Sequence, residues 1–115
     1  MKQQIQIRQS EKQILKAVLE YSKSIGLKVW RANTGAAQLK AKSGKSYYVH
    51  FGIAGQGDVT GILPDGRRLE IETKVPGRKQ IPSQVAFQKM IEENNGIYLL
   101  IYSLDQFIKE IDEYL

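Results

Sequence analysis

Cysteine is absent from this 115-residue chain. That excludes a disulfide framework and a thiolate zinc site, so any metal must be held by oxygen or by the one histidine, His50. Long apolar runs are missing too. No segment approaches the ~20 apolar residues needed to cross a bilayer, and the opening Met1-Lys2-Gln3-Gln4-Ile5-Gln6 lacks the apolar run of a secretory signal. The expectation is a soluble, cytoplasmic protein with no membrane partner. Repeats and low-complexity stretches are also absent, and tryptophan occurs once. That residue, Trp30, reads as part of the core rather than as a base-stacking platform. His50, beside Tyr47, Tyr48 and Phe51, reads as packed or hydrogen-bonded rather than as a metal ligand.

What remains is the balance of a globular domain, with 42% hydrophobic and 25% charged residues. One domain over residues 1–115 is expected, because a chain of this size removes roughly 65% of its unfolded surface from water and needs no covalent staples. The net charge of +5 is uneven. Residues 1–80 carry 15 Lys/Arg against 6 Asp/Glu, whereas residues 81–115 carry 2 against 6. Such a surface favours a polyanionic partner, of which nucleic acid is the commonest.

Ser10 and Gln13 make a capping-box signature, and Ile14, Leu15, Val18 and Ile25 recur at helical spacing up to Gly26, which predicts a helix over residues 10–25. Residues 27–32 read as a strand ending at the Asn33-Thr34-Gly35 break. Lys42-Ser43-Gly44-Lys45, between Leu39 and Tyr47, suggests a basic hairpin. A glycine-rich loop over residues 52–57 leads to two clearer strands, residues 59–63 and 67–74, around the turn Pro64-Asp65-Gly66. A second helix is expected from Pro82 or Ser83 to Gly96, with Ala86, Phe87, Met90 and Ile91 inward. An apolar strand over residues 97–102 follows. A last helix opens on a second Ser103/Gln106 capping box and turns Leu104, Phe107, Ile108, Ile111 and Leu115 to one side.

The chemistry is concentrated in the central hairpin. If Leu63 faces Arg67 across the turn, Val59 faces Ile71 and Asp58 faces Glu72. Side chains directly opposite have Cβ atoms about 4.5–5.5 Å apart, and two carboxylates that close repel unless a cation lies between them. The two-residue period puts Lys74 on the same face as Glu72, about 6.6–6.8 Å along the strand, with Leu69 and Ile71 facing the core. Mg²⁺ or Mn²⁺ suits such a set, because a hard cation accepts one or two carboxylates, a backbone carbonyl such as that of Thr73, phosphate and water. Lys74 could then orient a water or offset charge developing on a phosphoryl group. No small-molecule cofactor is implied.

The run from Gly57-Asp58-Val59 through Glu72-Thr73-Lys74 to Pro82-Ser83-Gln84 resembles the virus-type replication-repair nuclease (VRR-NUC) domain of the PD-(D/E)xK superfamily, small stand-alone versions of which occur in phages and bacteria. The likeness extends over nearly the whole chain. It implies an α/β, restriction-endonuclease-like fold, a mixed central sheet flanked by helices, and metal-dependent hydrolysis of DNA. The catalytic residues it implies are Asp58, Glu72, Lys74 and Gln84, with Glu11 of the first helix joining Asp58, Glu72 and Thr73 at the metal. Glu11 also precedes Ile14, Leu15 and Val18 by helical steps, which predicts an inward carboxylate in need of a partner; a first-turn glutamate serving the helix dipole fits equally well. Without the resemblance, Gln84 is a plain N-terminal helix residue. Arg31, Asn33 and Thr34 are candidate phosphate contacts on the same likeness, and Lys40, Lys42, Lys45, Arg78 and Lys79 are candidate backbone contacts.

Three functions fit this pattern. The first is a homodimeric endonuclease resolving branched DNA such as Holliday junctions, the dimer being implied by the resemblance. The second is a monomeric flap or structure-specific nuclease. The third is a non-catalytic nucleic-acid-binding module, against which the joint presence of Asp58, Glu72 and Lys74 argues.

Overall fold

The computed structural model of the chain describes residues 9–32 and 35–115, without the side chains of residues 35–37 and 49–51. Its elements run α1 (Glu11–Ser24), β1 (Lys28–Arg31), β2 (Gly35–Lys40), β3 (Ser46–Phe51), β4 (Val59–Ile62), β5 (Arg68–Thr73), α2 (Pro82–Glu93), β6 (Ile97–Ile101) and α3 (Leu104–Asp112). Four strands form one sheet in the order β1-β4-β5-β6. β4 runs antiparallel to both β1 and β5, and β6 lies parallel to β5 after the α2 crossover. The architecture is thus mixed α/β, a mixed sheet flanked by helices. Among the described residues no helix is long and apolar enough to cross a membrane.

Local signals explain most boundaries. Ser10 accepts from the Gln13 backbone while the Gln13 side chain accepts from the Ser10 N–H, so the box expected at the start of α1 is complete. Ser103 caps α3 in the same way, but the Gln106 side chain reaches past it to the Tyr102 N–H and the Leu100 carbonyl. The expected second box is therefore half formed, and Gln106 instead ties α3 to the end of β6.

The sheet has two differently covered faces. Leu69, Ile71, Leu99 and Ile101 pack with Ile14, Leu15 and Val18 of α1 and Phe107 and Ile111 of α3. Each fully buried aliphatic side chain there contributes roughly 1.5–3 kcal/mol. On the opposite face α2 sends Phe87 and Ile91 against Tyr98 and Leu100. Ala86 and Met90, expected inward, are exposed, because α2 meets the sheet along a narrower stripe than its apolar content suggests, and Leu115 is exposed because α3 ends before it, at Asp112.

β2 and β3 form a separate two-stranded hairpin closed by Lys42-Ser43-Gly44-Lys45, as the sequence suggested. Residues 38–48 are exposed along it, including Tyr48.

Trp30 does not join the core. It stands on the edge strand β1 with 52% of its surface exposed. Its neighbour Val29 is the β1 residue that packs inward, so the alternation along β1 turns the indole to the face that α2 leaves open.

Candidate active site

The central hairpin has the register the turn implied, Val59 facing Ile71 and Ile62 facing Arg68. The Leu63 N–H donates to the Arg67 carbonyl at 2.9 Å, with Gly66 at φ +92° in the turn. Continued one step past Val59, this register sets Asp58 beside Glu72. The ladder itself stops there. In an unbroken ladder the Thr73 N–H would look across to residue 57, but it donates instead to Asp58 Oδ2 at 2.8 Å, and the Thr73 hydroxyl donates to the same oxygen at 3.1 Å. Two donors on one oxygen fix the carboxylate. The Asp58 carbonyl in turn accepts from Ala32 N–H at 2.9 Å, tying the residue to the end of β1.

Close packing at Gly57 and Gly55 makes this strand end possible. A Cβ at Gly57 would lie 2.8 Å from the Ile71 carbonyl oxygen, and one at Gly55 would lie 2.0 Å from the Ser83 carbonyl oxygen in α2. Gly55 also has φ +79°, which side chains rarely tolerate. The glycine-rich loop is therefore pressed between β5 and the first turn of α2, delivering Asp58 to its place.

Glu72 is 2% exposed, on the α2 face of the sheet. Its Oε2 accepts from the Tyr98 hydroxyl at 2.5 Å and from Gln80 Nε2 at 3.5 Å, while its Oε1 lies 4.0 Å from Lys74 Nζ. Gln80 also donates to Gln88 Oε1 at 3.0 Å and to the Tyr98 oxygen at 3.3 Å. Burial pushes the Glu72 carboxyl above its ordinary range; Tyr98, Lys74 and Gln80 pull it back, and the nearby Asp58 charge adds to the rise. Burial and the Glu72 carboxylate hold the Tyr98 phenol far above its usual range, so it remains a donor at neutral pH. One oxygen of Glu72 is thus held by Tyr98 and Gln80, and the other is left on the Lys74 side.

No family model matches the chain, and no curated protein does either.

The other expected site residues divide clearly. Lys74 is nearly buried and donates its backbone N–H to the Ile101 carbonyl at 2.9 Å, which keeps it in the β5 line beside Glu72. Gln84 stands in the first turn of α2, where its Oε1 accepts from the Ile81 N–H at 2.9 Å. Its side chain is the helix cap, and the glutamine that reaches Glu72 is Gln80. Glu11 is exposed rather than inward. It lies in the first turn of α1, one turn short of the buried stripe that begins at Ile14, so its carboxylate meets solvent and the helix N-terminus instead of the core.

Arg31 is exposed at the end of β1 and pairs with Val59, next to Asp58. Lys40, Lys42 and Lys45 are exposed on the β2–β3 hairpin, and Arg78 and Lys79 are exposed in the loop before α2. Asn33 and Thr34 lie outside the described residues, as does the His50 side chain.

Sequence reasoning missed Tyr98, Gln80 and a second buried acid, Glu70. Glu70 is fully buried; its Oε1 accepts from Thr60 Oγ1 and from Arg68 Nε, each at 2.7 Å. Tyr98 carried one signal, a hydroxyl inside an otherwise apolar strand, which demands a partner when buried.

A hard divalent cation fits the donors present. Among the described residues no third His, Cys, Asp or Glu joins Asp58 and Glu72 in a metal-holding group. Two carboxylates completed by carbonyl, water and phosphate oxygens suffice for Mg²⁺. A buried carboxylate whose charged form is disfavoured gains most from a cation.

Proposed function

We propose that this chain is a Mg²⁺- or Mn²⁺-dependent nuclease of the VRR-NUC type, cleaving DNA phosphodiesters on a restriction-endonuclease-like fold. The observation that carries the reading is the pairing of two acids with a lysine on one sheet face. Asp58 is fixed by Thr73, and the buried Glu72 stands one strand away with Lys74 at 4.0 Å. Burying a carboxylate and an ammonium together costs several kcal/mol in desolvation, which structural ion pairs seldom recover. A catalytic site gives that arrangement a reason.

Asp58 and Glu72 would hold the cation, with the Thr73 carbonyl available on the same strand. When bound, the cation supplies polarisation of a phosphoryl oxygen and a lowered pKa for the attacking water. The protein supplies the rest. Thr73 keeps Asp58 in one rotamer, Tyr98 and Gln80 keep Glu72 oriented, and the Lys74 ammonium orients the water or offsets negative charge as the phosphorus–oxygen bond breaks. The exposed lysines and arginines around the site offer sequence-independent contacts to the DNA backbone. Preference for branched DNA and action as a homodimer with two sites follow from the resemblance in sequence.

The test is a panel of linear, nicked, flap and four-way DNA substrates incubated with Mg²⁺ or Mn²⁺. Cleavage is expected to vanish in EDTA and to fall by roughly 100-fold or more in Lys74→Ala and Asp58→Asn, while DNA retention in EDTA persists. Wild-type cleavage by either variant would remove the assignment. Paired cuts across a four-way junction, with a dimer in light scattering, distinguish the resolving reading from a monomeric flap nuclease.

A further inference from the structure

We infer that Trp30 and its neighbours form a docking site for an unpaired nucleobase, separate from the acidic centre. The helix α2 covers only the β5–β6 side of its sheet face. On the uncovered side Trp30, Thr60, Ile62 and Arg68 line an open concavity of about 460 Å³. Trp30 is 52% and Ile62 50% exposed, so the floor presents a broad π surface beside an aliphatic one. Lys28 faces Ile62 across the β1–β4 ladder, and Ile62 faces Arg68 across the next, which lays a basic residue on each side of that floor.

Arg68 is not a free surface charge. Its Nε is bound to the fully buried Glu70 at 2.7 Å, so the guanidinium is held in place while about half of the side chain stays exposed. A preordered guanidinium loses less freedom when it meets a phosphate than a mobile one does.

The occupant follows from these observations. Two exposed apolar side chains fall well short of the 20–30 residues on each side that a stable protein interface takes. An aromatic face beside a row that carries a cation at each end instead matches one base with its flanking phosphates, the arrangement by which single strands are held without regard to sequence. Its place also suits the acidic centre. Trp30 faces Thr60, and Thr60 faces Glu70. Glu72 is one side-chain repeat beyond, so the backbones of Trp30 and Glu72 are about 12 Å apart on one sheet face. A strand threading from the carboxylates across β4 reaches the indole within a few nucleotides. The inference shares the nucleic-acid partner of the proposed function but not its cleavage chemistry.

Because Trp30 is the chain's only tryptophan, indole emission excited to the red of tyrosine absorption reports on this site alone in the unmodified protein. The experiment titrates the full chain, in EDTA at low salt, with a labelled oligothymidine and with a blunt duplex of equal length. Emission and label anisotropy are followed together. The single strand is expected to quench Trp30 saturably and the duplex far less. Trp30→Ala should weaken single-strand binding by roughly 5- to 150-fold, and Trp30→Phe should recover most of it. Anisotropy that rises without any change in emission would overturn the inference, as would an unchanged affinity in Trp30→Ala or equal quenching by the duplex. Failure of the single strand to bind at all would do the same. Emission that changes with protein concentration alone, in step with dimer formation, would assign the face to a second copy and overturn it too. Loss of cleavage in the Asp58 and Lys74 variants is read separately, so either proposal can fail while the other stands.

Discussion

Replacing Tyr98 by phenylalanine removes one hydroxyl and leaves the ring, which packs edge-on against Phe87 with centroids 6.3 Å apart. The hydroxyl is the shortest contact to Glu72, at 2.5 Å; without it, Oε2 keeps only Gln80 at 3.5 Å. A hydrogen bond to a charged partner contributes about 1.5–3 kcal/mol, and a neutral one about 0.5–1.5 kcal/mol. Which applies depends on pH. Burial already holds Glu72 above its ordinary 4.5, and removing a donor that favours the anion raises it further. The stability that accompanies protonated Glu72 is complete below that ordinary value and is lost as pH rises through the folded-state value. Tyr98→Phe should therefore lie only about 0.5–1.5 kcal/mol below the wild type in metal-free urea denaturation near pH 4, where both carry the neutral acid. The gap should widen to about 1.5–3 kcal/mol once pH has risen past the folded-state value and Glu72 is the anion. Mn²⁺ binding, read by calorimetry, should weaken by roughly 10- to 100-fold, the usual effect of deleting a hydrogen-bond partner behind a metal ligand. An equal stability gap at both pH values with unchanged Mn²⁺ affinity would reduce Tyr98 to a packing residue and refute the reasoning.

Two further outcomes follow from the same geometry. In Glu72→Gln the metal-free stability should stop falling as pH rises above about 4.5, and Mn²⁺ at 100 times the wild-type dissociation constant should stabilise the wild type by about 2.7 kcal/mol but not the variant. Thermal and urea unfolding with and without Mn²⁺ check both, and a variant that still tracks the wild-type pH curve would place the titration elsewhere. Gln80→Ala should weaken Mn²⁺ binding with little effect on α2, whereas Gln84→Ala should destabilise the chain by about 0.5–1.5 kcal/mol through its lost cap and leave Mn²⁺ binding unchanged. Calorimetry on the two variants decides between them; the reverse pattern would restore Gln84 as the metal-side glutamine.

Elements governed by local chemistry were legible in the sequence. Ser10 and Gln13 announced α1, Gly66 and its neighbours announced the turn, and the turn alone determined which β4 residue meets which β5 residue. That is why the sequence alone groups Asp58, Glu72 and Lys74. A two-residue period and a fixed turn length leave the pairing no freedom, since a one-residue slip would turn Leu69 and Ile71 away from the α1–α3 core and swing Glu70 and Glu72 into it.

Residues whose surroundings come from distant segments were not legible. Glu11 and Trp30 show the two forms of this. Helical spacing gives the angle of Glu11 about the α1 axis but not where along that axis the sheet begins, and the covered stripe starts one turn later, at Ile14. Alternation puts Trp30 opposite Val29, but only the seating of α1 on the Val29 side, with α2 stopping short of β1 on the other, decides which face of β1 is covered. Gln80 and Gln84 extend the same logic to the site. A glutamine in the first turn of a helix satisfies the orphan N–H groups next to it, so Gln84 is consumed by a contact three residues away. Gln80 lies in the preceding loop, has no helix end to serve, and turns to the nearest buried acceptors, which are the Glu72 carboxylate and the Tyr98 oxygen. Tyr98 itself comes from a strand that enters beside β5 only after the α2 crossover. The carboxylates are set by a local hairpin and their orientation by a long-range strand, so changes in β6 should alter how tightly a cation is held while leaving the Asp58–Glu72 pairing intact.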